Sequence, residues 1–137
     1  MLDQTTAYGM AVHVADDYEK AVQRTRDALS AEGFGVLTEI DVAATMKKKL
    51  DVDFPPYIIL GACNPPLAYK ALQAETDIGI LLPCNVVVRE REDGRGSTIA
   101  AMDPEAAMQL TGNAAVAEVA SEVKGRLTRV LESLKAG

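Results

Sequence analysis

A charged turn constrains the fold of this 137-residue chain more than any other stretch. Glu90-Arg91-Glu92-Asp93-Gly94-Arg95-Gly96 contains an Asp-Gly pair, and the glycine supplies the positive φ that a tight hairpin needs. Before the turn, Cys84, Val86 and Val88 alternate with Asn85, Val87 and Arg89, so the two sets face opposite sides of a strand. After it, Ser97 to Met102 must return antiparallel. Such a hairpin breaks the strand–helix alternation that a doubly wound parallel sheet keeps to its end, and the chain also lacks that fold's glycine-rich first turn.

Size and charge narrow the field further. A chain of this length forms one domain, residues 1–137, and buries roughly two-thirds of its unfolded surface without staples. A net charge of -6 leaves no general basic face for a phosphate backbone, so nucleic acid is not an expected partner. No apolar run reaches the ~18 residues of a bilayer span, which argues for a soluble protein with no membrane partner. The opening residues, MLDQTTAYGM, have no basic segment followed by a long apolar one. Without a secretory signal, two cysteines point to a reducing cytoplasm, where both are thiols.

From Thr6 to Val14 the apolar positions Tyr8, Met10, Val12 and Val14 recur every second residue, predicting a strand with His13 turned away from the core. Asp16 and Glu19 then form a capping-box pattern at the start of a helix. Ala21, Val22, Thr25, Ala28 and Leu29 line its apolar face, and Gly33 closes it as a left-handed cap beside Phe34. Phe34, Val36, Thr38 and Ile40 alternate with Gly35, Leu37 and Glu39, a second strand expected to pair with the first. Asp41 caps a short helix, Val42 to about Leu50, and Lys47, Lys48 and Lys49 complement the negative end of its dipole.

Tyr57 to Cys63 is apolar on both alternations, the pattern of a central strand covered on both sides, with Gly61 permitting a close approach. Asn64-Pro65-Pro66 starts the next helix by a cap followed by proline. Ile80 to Glu90 reads as a strand interrupted by Pro83. Asp103-Pro104 repeats the cap-and-proline device, and Gly112-Asn113 precedes the longest helix. There Val116, Val119, Ala120, Val123, Leu127, Val130, Leu131 and Leu134 make one wide stripe, with Gly125 as the weak point and a candidate for close helix–sheet contact. The sum is an α+β fold: a largely antiparallel sheet, helices packed mainly on one face, and a long C-terminal helix.

Glu32 to Val42 (EGFGVLTEIDV), Tyr57 to Leu72 (YIILGACNPPLAYKAL), Ile78 to Val88 (IGILLPCNVVV) and Asp103-Pro104 together resemble the bacterial and archaeal domain-of-unknown-function 302 family over nearly the whole chain. The resemblance implies a TATA-binding-protein-like sheet-and-helix fold, often dimeric, and does not itself imply DNA binding. It assigns neither an activity nor a cofactor.

The residues themselves supply the candidate chemistry. Each cysteine is followed by asparagine, Cys63-Asn64 and Cys84-Asn85, and an antiparallel arrangement puts both pairs at one end of the sheet. Free cysteine usually packs as a small hydrophobe, whereas the helix starting after Asn64 offers a dipole able to lower the pKa of Cys63. Asn64 is a natural helix cap, and Asn85 a donor at the sheet end. His13, the only histidine, shares a sheet face with Glu39, Asn85 and Arg89 on the alternation above. No spaced cluster supplies the three or four ligands of a zinc site.

Three functions remain open on these residues. The first is a small-molecule or ion-binding module, with its site on the open sheet face or at the cysteine end, and a homodimer formed because one helical layer leaves that face bare. The second is a thiol-dependent enzyme or redox carrier using Cys63, Cys84 or both. The third is a protein-interaction domain with no ligand, for which a featureless sheet face would speak.

Overall fold

The computed structural model describes residues 2–137. Its centre is a six-stranded sheet in the order β1 (Gln4–Thr5), β2 (Gly9–Val14), β6 (Ser97–Met102), β5 (Cys84–Glu90), β4 (Tyr57–Cys63), β3 (Gly35–Asp41). Every neighbouring pair is antiparallel. The hairpin joins β5 to β6 in the register Arg89↔Thr98 and Glu90↔Ser97, as its turn residues require. The two-residue β1 is too short to leave a periodic signal in the sequence.

Helix α1 (Tyr18–Ala31) follows β2, and its N-cap is Asp17, which accepts from Lys20 N at 2.9 Å. The expected cap, Asp16, instead receives the Arg24 guanidinium. The helix begins one residue later than the capping-box pattern implied, because Asp16 is drawn into an ion pair with its own second turn. At the other end Gly33 takes φ +85°, and Phe34 N donates to Leu29 O at 2.9 Å, which closes the last turn and buries the Phe34 ring.

β3 does not pair with β2. It lies at the far edge against β4, with β6, β5 and β4 between the two. A helix spanning the covered face delivers its next strand wherever its far end reaches, so neighbours in sequence need not be neighbours in the sheet. β3 also carries a bulge: Val36 sits opposite Ala62, yet Thr38 sits opposite Gly61. The extra residue, Leu37, switches the faces. Val36 points to the core, whereas Thr38 and Ile40 point outward, and Glu39 turns to the covered side and meets Arg26 of α1.

Asp41 caps α2 (Val42–Leu50), accepting from Ala44 N at 2.9 Å, and none of that helix is buried. Its Lys47 pairs with Asp51 and Asp53, so this lysine is spent on local surface pairs. α3 (Pro65–Ala74) starts at Asn64 as read from the sequence. The brief turn that the sequence suggests from Thr76 to Gly79 is a 3₁₀ helix, Thr76–Leu81, and it takes up Ile80 and Leu81, so the strand read from Ile80 begins only at Cys84. α4 (Pro104–Met108) follows Asp103, which accepts from Glu105 N and Ala106 N, and α5 (Ala114–Ala136) follows Asn113.

All eight positions of the α5 stripe are buried, and they pack with Met10, Val12, Leu29, Leu60, Val86, Val88 and Ile99 into one continuous core. Burying each Val or Leu side chain contributes about 1.5–3 kcal/mol before chain entropy is subtracted, so this seam is the main cohesion between helix and sheet. Gly125 plays no part in it: a Cβ there would meet only Arg129 at 3.7 Å. β4 is covered on one side rather than two, since Ile58, Leu60 and Ala62 are buried while Tyr57, Ile59 and Cys63 are only half-buried.

Candidate functional site

The ladder places the predicted site residues on two separate surfaces. At one end of the sheet, Cys84 lies opposite Ala62, and Cys63 is the next residue of β4. Strand alternation therefore directs Cys84 toward the core and Cys63 toward the other face. Both are free thiols. Asn64 beside them is 8% exposed, and its Oδ1 accepts from Leu67 N at 3.4 Å. The cavity there, lined by Phe34, Leu67, Met108 and both cysteines among others, holds only about 20 Å³. That is room for about one water molecule.

Electrostatics at this end do not activate sulfur. Burial pushes the Cys84 thiol up to about 11, with the Cys63 thiol adding to the shift. Burial also raises Cys63, opposite to the direction a helix dipole alone would give. Burial is the one cause of the Cys63 shift, and the helix start beside it is capped by the Asn64 side chain.

The other surface is the face of the sheet away from the helices. Four residues form one row across it: His13 pairs with Thr98, Thr98 with Arg89, and Arg89 with Tyr57. His13 Nδ1 lies 2.8 Å from Thr98 Oγ1, and Thr98 is 2% exposed. Behind His13, its backbone N–H donates to Asp3 at 2.7 Å, and Lys135 holds the same carboxylate at 2.8 Å. The Lys135 hydrogen bond, with the His13 N–H next, keeps Asp3 below the usual carboxylate range. The Arg89 guanidinium makes no hydrogen bond or ion pair with any described residue.

Two residues along each strand, the next row is apolar: Ala11, Ala100, Val87, Ile59 and Ile40. Asn85 stands one step further on β5, exposed and without a side-chain hydrogen bond. Three hollows overlie these rows. One of about 360 Å³ lies over His13, Arg89 and Thr98, and one of about 270 Å³ shares Arg89 and Thr98 and runs to Val87, Ala100 and Tyr8. A third, of about 510 Å³, shares Val87, Ala100 and Tyr8 and ends against Asn85, Ala106 and Leu110. Their common walls make a single trough, polar at the Arg89 end and apolar at the Leu110 end.

Thus His13, Arg89 and Asn85 share the open face, as their alternation implied, while Cys84 and Asn64 belong to the packed end. Glu39 leaves the face because of the bulge. Thr98, Val87, Ala100, Tyr57 and Leu110 were not singled out from the sequence, although the hairpin register carried a signal for Thr98, which it sets opposite Arg89; Tyr8, read there as a core position, precedes β2 and is exposed on the trough. Among the described residues, no three His, Cys, Asp or Glu side chains are gathered to hold a metal ion, and no helix is long and apolar enough to cross a membrane.

An antiparallel sheet with helices against one face and a trough on the other defines an α+β protein. The chain belongs to the family described as domain of unknown function DUF302, whose model matches residues 10–134. It is similar to an uncharacterized conserved DUF302 protein from Bacillus stearothermophilus of known crystal structure, with 28% identity and a TM-score of 0.86 over 94% of this chain and 99% of that one. No curated protein matches the sequence.

Proposed function

We propose that this protein is a small-molecule-binding module whose site is the trough on the open sheet face. The observation that carries the reading is the contrast in room: about 20 Å³ at the cysteine end against about 510 Å³ in the hollow at the Leu110 end of the open face. Ligand pockets are typically hollows of about 300–1,000 Å³, mostly apolar with a few oriented polar groups. The trough has that character, whereas a featureless face would have favoured an interaction domain with no ligand. Thiol chemistry gains no support, since both sulfurs are held in their neutral form by burial.

The reading includes self-association and a cytoplasmic location. β3 has one paired edge, and Leu37, Ile40, Leu50, Val52 and Phe54 are exposed along and beside it. A second copy meeting this edge across a two-fold axis is self-complementary and leaves the trough open. Two free thiols set on neighbouring strands suit a reducing compartment.

A thermal-shift screen tests the site. Any compound that binds only the folded chain must raise the midpoint. Hits should lose their shift in Ala100→Trp, which fills the trough from an outward-facing position, and keep it in Cys63→Ser. Hits indifferent to Ala100→Trp but abolished by Cys63→Ser would overturn the assignment.

A further inference from the structure

We propose that the trough takes an amphipathic monocarboxylate, with its carboxylate on Arg89 and its apolar body lying along Val87 and Ala100 toward Leu110. This deepens the open-face reading and rests on it. An arginine fork presents paired N–H donors that match a carboxylate, and the half-buried Arg89 has no acidic partner of its own. The acids nearby are committed or stand apart: Asp93 is 3.8 Å from Arg91, Asp3 is held by Lys135, and Glu92 lines the hollow without pairing to Arg89.

Charge count selects the class of anion. Arg91, Glu92 and Asp93 line the same end, and because Arg91 pairs with Asp93, Glu92 is the acid left beside Arg89; a dianion such as phosphate meets more repulsion from it than a single carboxylate, which the one free guanidinium matches. Length follows from the strand. Arg89 and Asn85 are four residues apart on β5, about 13 Å at the ordinary strand rise, so the body of the ligand extends well past its head group. Its surface is apolar because the walls are: Tyr8 is 77% exposed and Leu110 82% exposed, and both flank the far hollow.

Calorimetric titration of the intact chain with octanoate, 1-octanol and inorganic phosphate tests the assignment. Octanoate should bind roughly ten- to a hundredfold tighter than octanol, the usual worth of a hydrogen-bonded charge, and phosphate should not bind. Arg89→Gln, at a half-exposed position whose folding is checked by circular dichroism, should erase the preference while octanol affinity stays. Equal octanoate and octanol affinities, both abolished by Ala100→Trp, would overturn the carboxylate and leave the open-face site standing. Octanoate binding unaltered by Ala100→Trp, no binding of octanoate, or phosphate binding tighter than octanoate would each overturn the proposal. The broader reading falls separately, only if the hits of the thermal-shift screen ignore Ala100→Trp.

Discussion

Cys84 faces Ala62 across the β4–β5 ladder, not Cys63. The two Cys-Asn repeats therefore come to one end of the sheet without forming a matched pair, because antiparallel register offsets them by one residue and alternation sends them to different sides. Cys84 is buried in the core and Cys63 is half-buried, and both edge one water-sized cavity.

Thiol titration follows from that placement. Alkylation of the native protein should begin at the half-buried Cys63, with its pH midpoint above the ordinary 9.0, and should leave Cys84 untouched until the chain unfolds. The raised thiols also fix the sign of a stability change. The folded-state pKa of Cys84, about 11, exceeds its ordinary value of 9.0, so its contribution is fully present below pH 9.0 and is lost as pH rises to about 11. Denaturation midpoints that rise across this window would contradict the burial of Cys84.

Cys84→Ser should destabilise the fold by about 1–3 kcal/mol, since a hydroxyl at a position 4% exposed loses water without gaining a partner. Urea unfolding measures it. Wild-type stability together with lost ligand binding would shift the assignment toward a functional thiol.

Gly61 should be intolerant of the smallest addition. A Cβ there would overlap Thr38 Oγ1 and come within 2.8 Å of Pro83 Cγ, so Gly61→Ala is expected to cost about 1–3 kcal/mol. Gly79, where a Cβ meets nothing within 4 Å, is the control, and Gly79→Ala should be neutral or slightly stabilising. Equal midpoints for the two variants in urea would rule out the close approach.

Asp103 joins α4 to α5. Burial alone would raise its carboxyl, but the Lys124 hydrogen bond and the Ala106 and Glu105 N–H groups prevail and hold it below 3.8. Its stabilising contribution is thus present above about that pH and is lost as pH falls through the lower folded-state value. Asp103→Ala removes a helix cap and should cost about 1–2 kcal/mol at pH 7. The gap from wild type should narrow in strong acid, and a pH-independent difference would show that the charge on Asp103 is immaterial.

Sedimentation at micromolar concentration should give twice the 14.6 kDa chain mass, and Leu37→Asp with Ile40→Lys at the β3 edge should return the monomer. A wild-type monomer across the concentration range would remove the dimer.

What the sequence by itself determined was mostly local. The caps at Asp41, Asn64 and Asp103, the left-handed Gly33, the β5–β6 hairpin and the α5 stripe each rest on residues a few positions apart, whose hydrogen bonds and periodicity are local. That was enough for an antiparallel sheet under a helical layer, and for placing His13, Asn85 and Arg89 on its open side.

Tertiary structure decided the rest. No local signal tells β3 to lie beside β4 instead of β2, since that choice depends on where α1 ends after crossing the covered face. The bulge at Val36/Thr38 is a mismatch between two strands, invisible in either alone, and it alone moves Glu39 off the open face. The trough likewise has no sequence signature: Tyr8, Val87, Ala100 and Leu110 come from four distant segments and read singly as ordinary apolar residues. Their common wall, and an arginine left without a partner at its end, exist only because strand order and register bring those segments together.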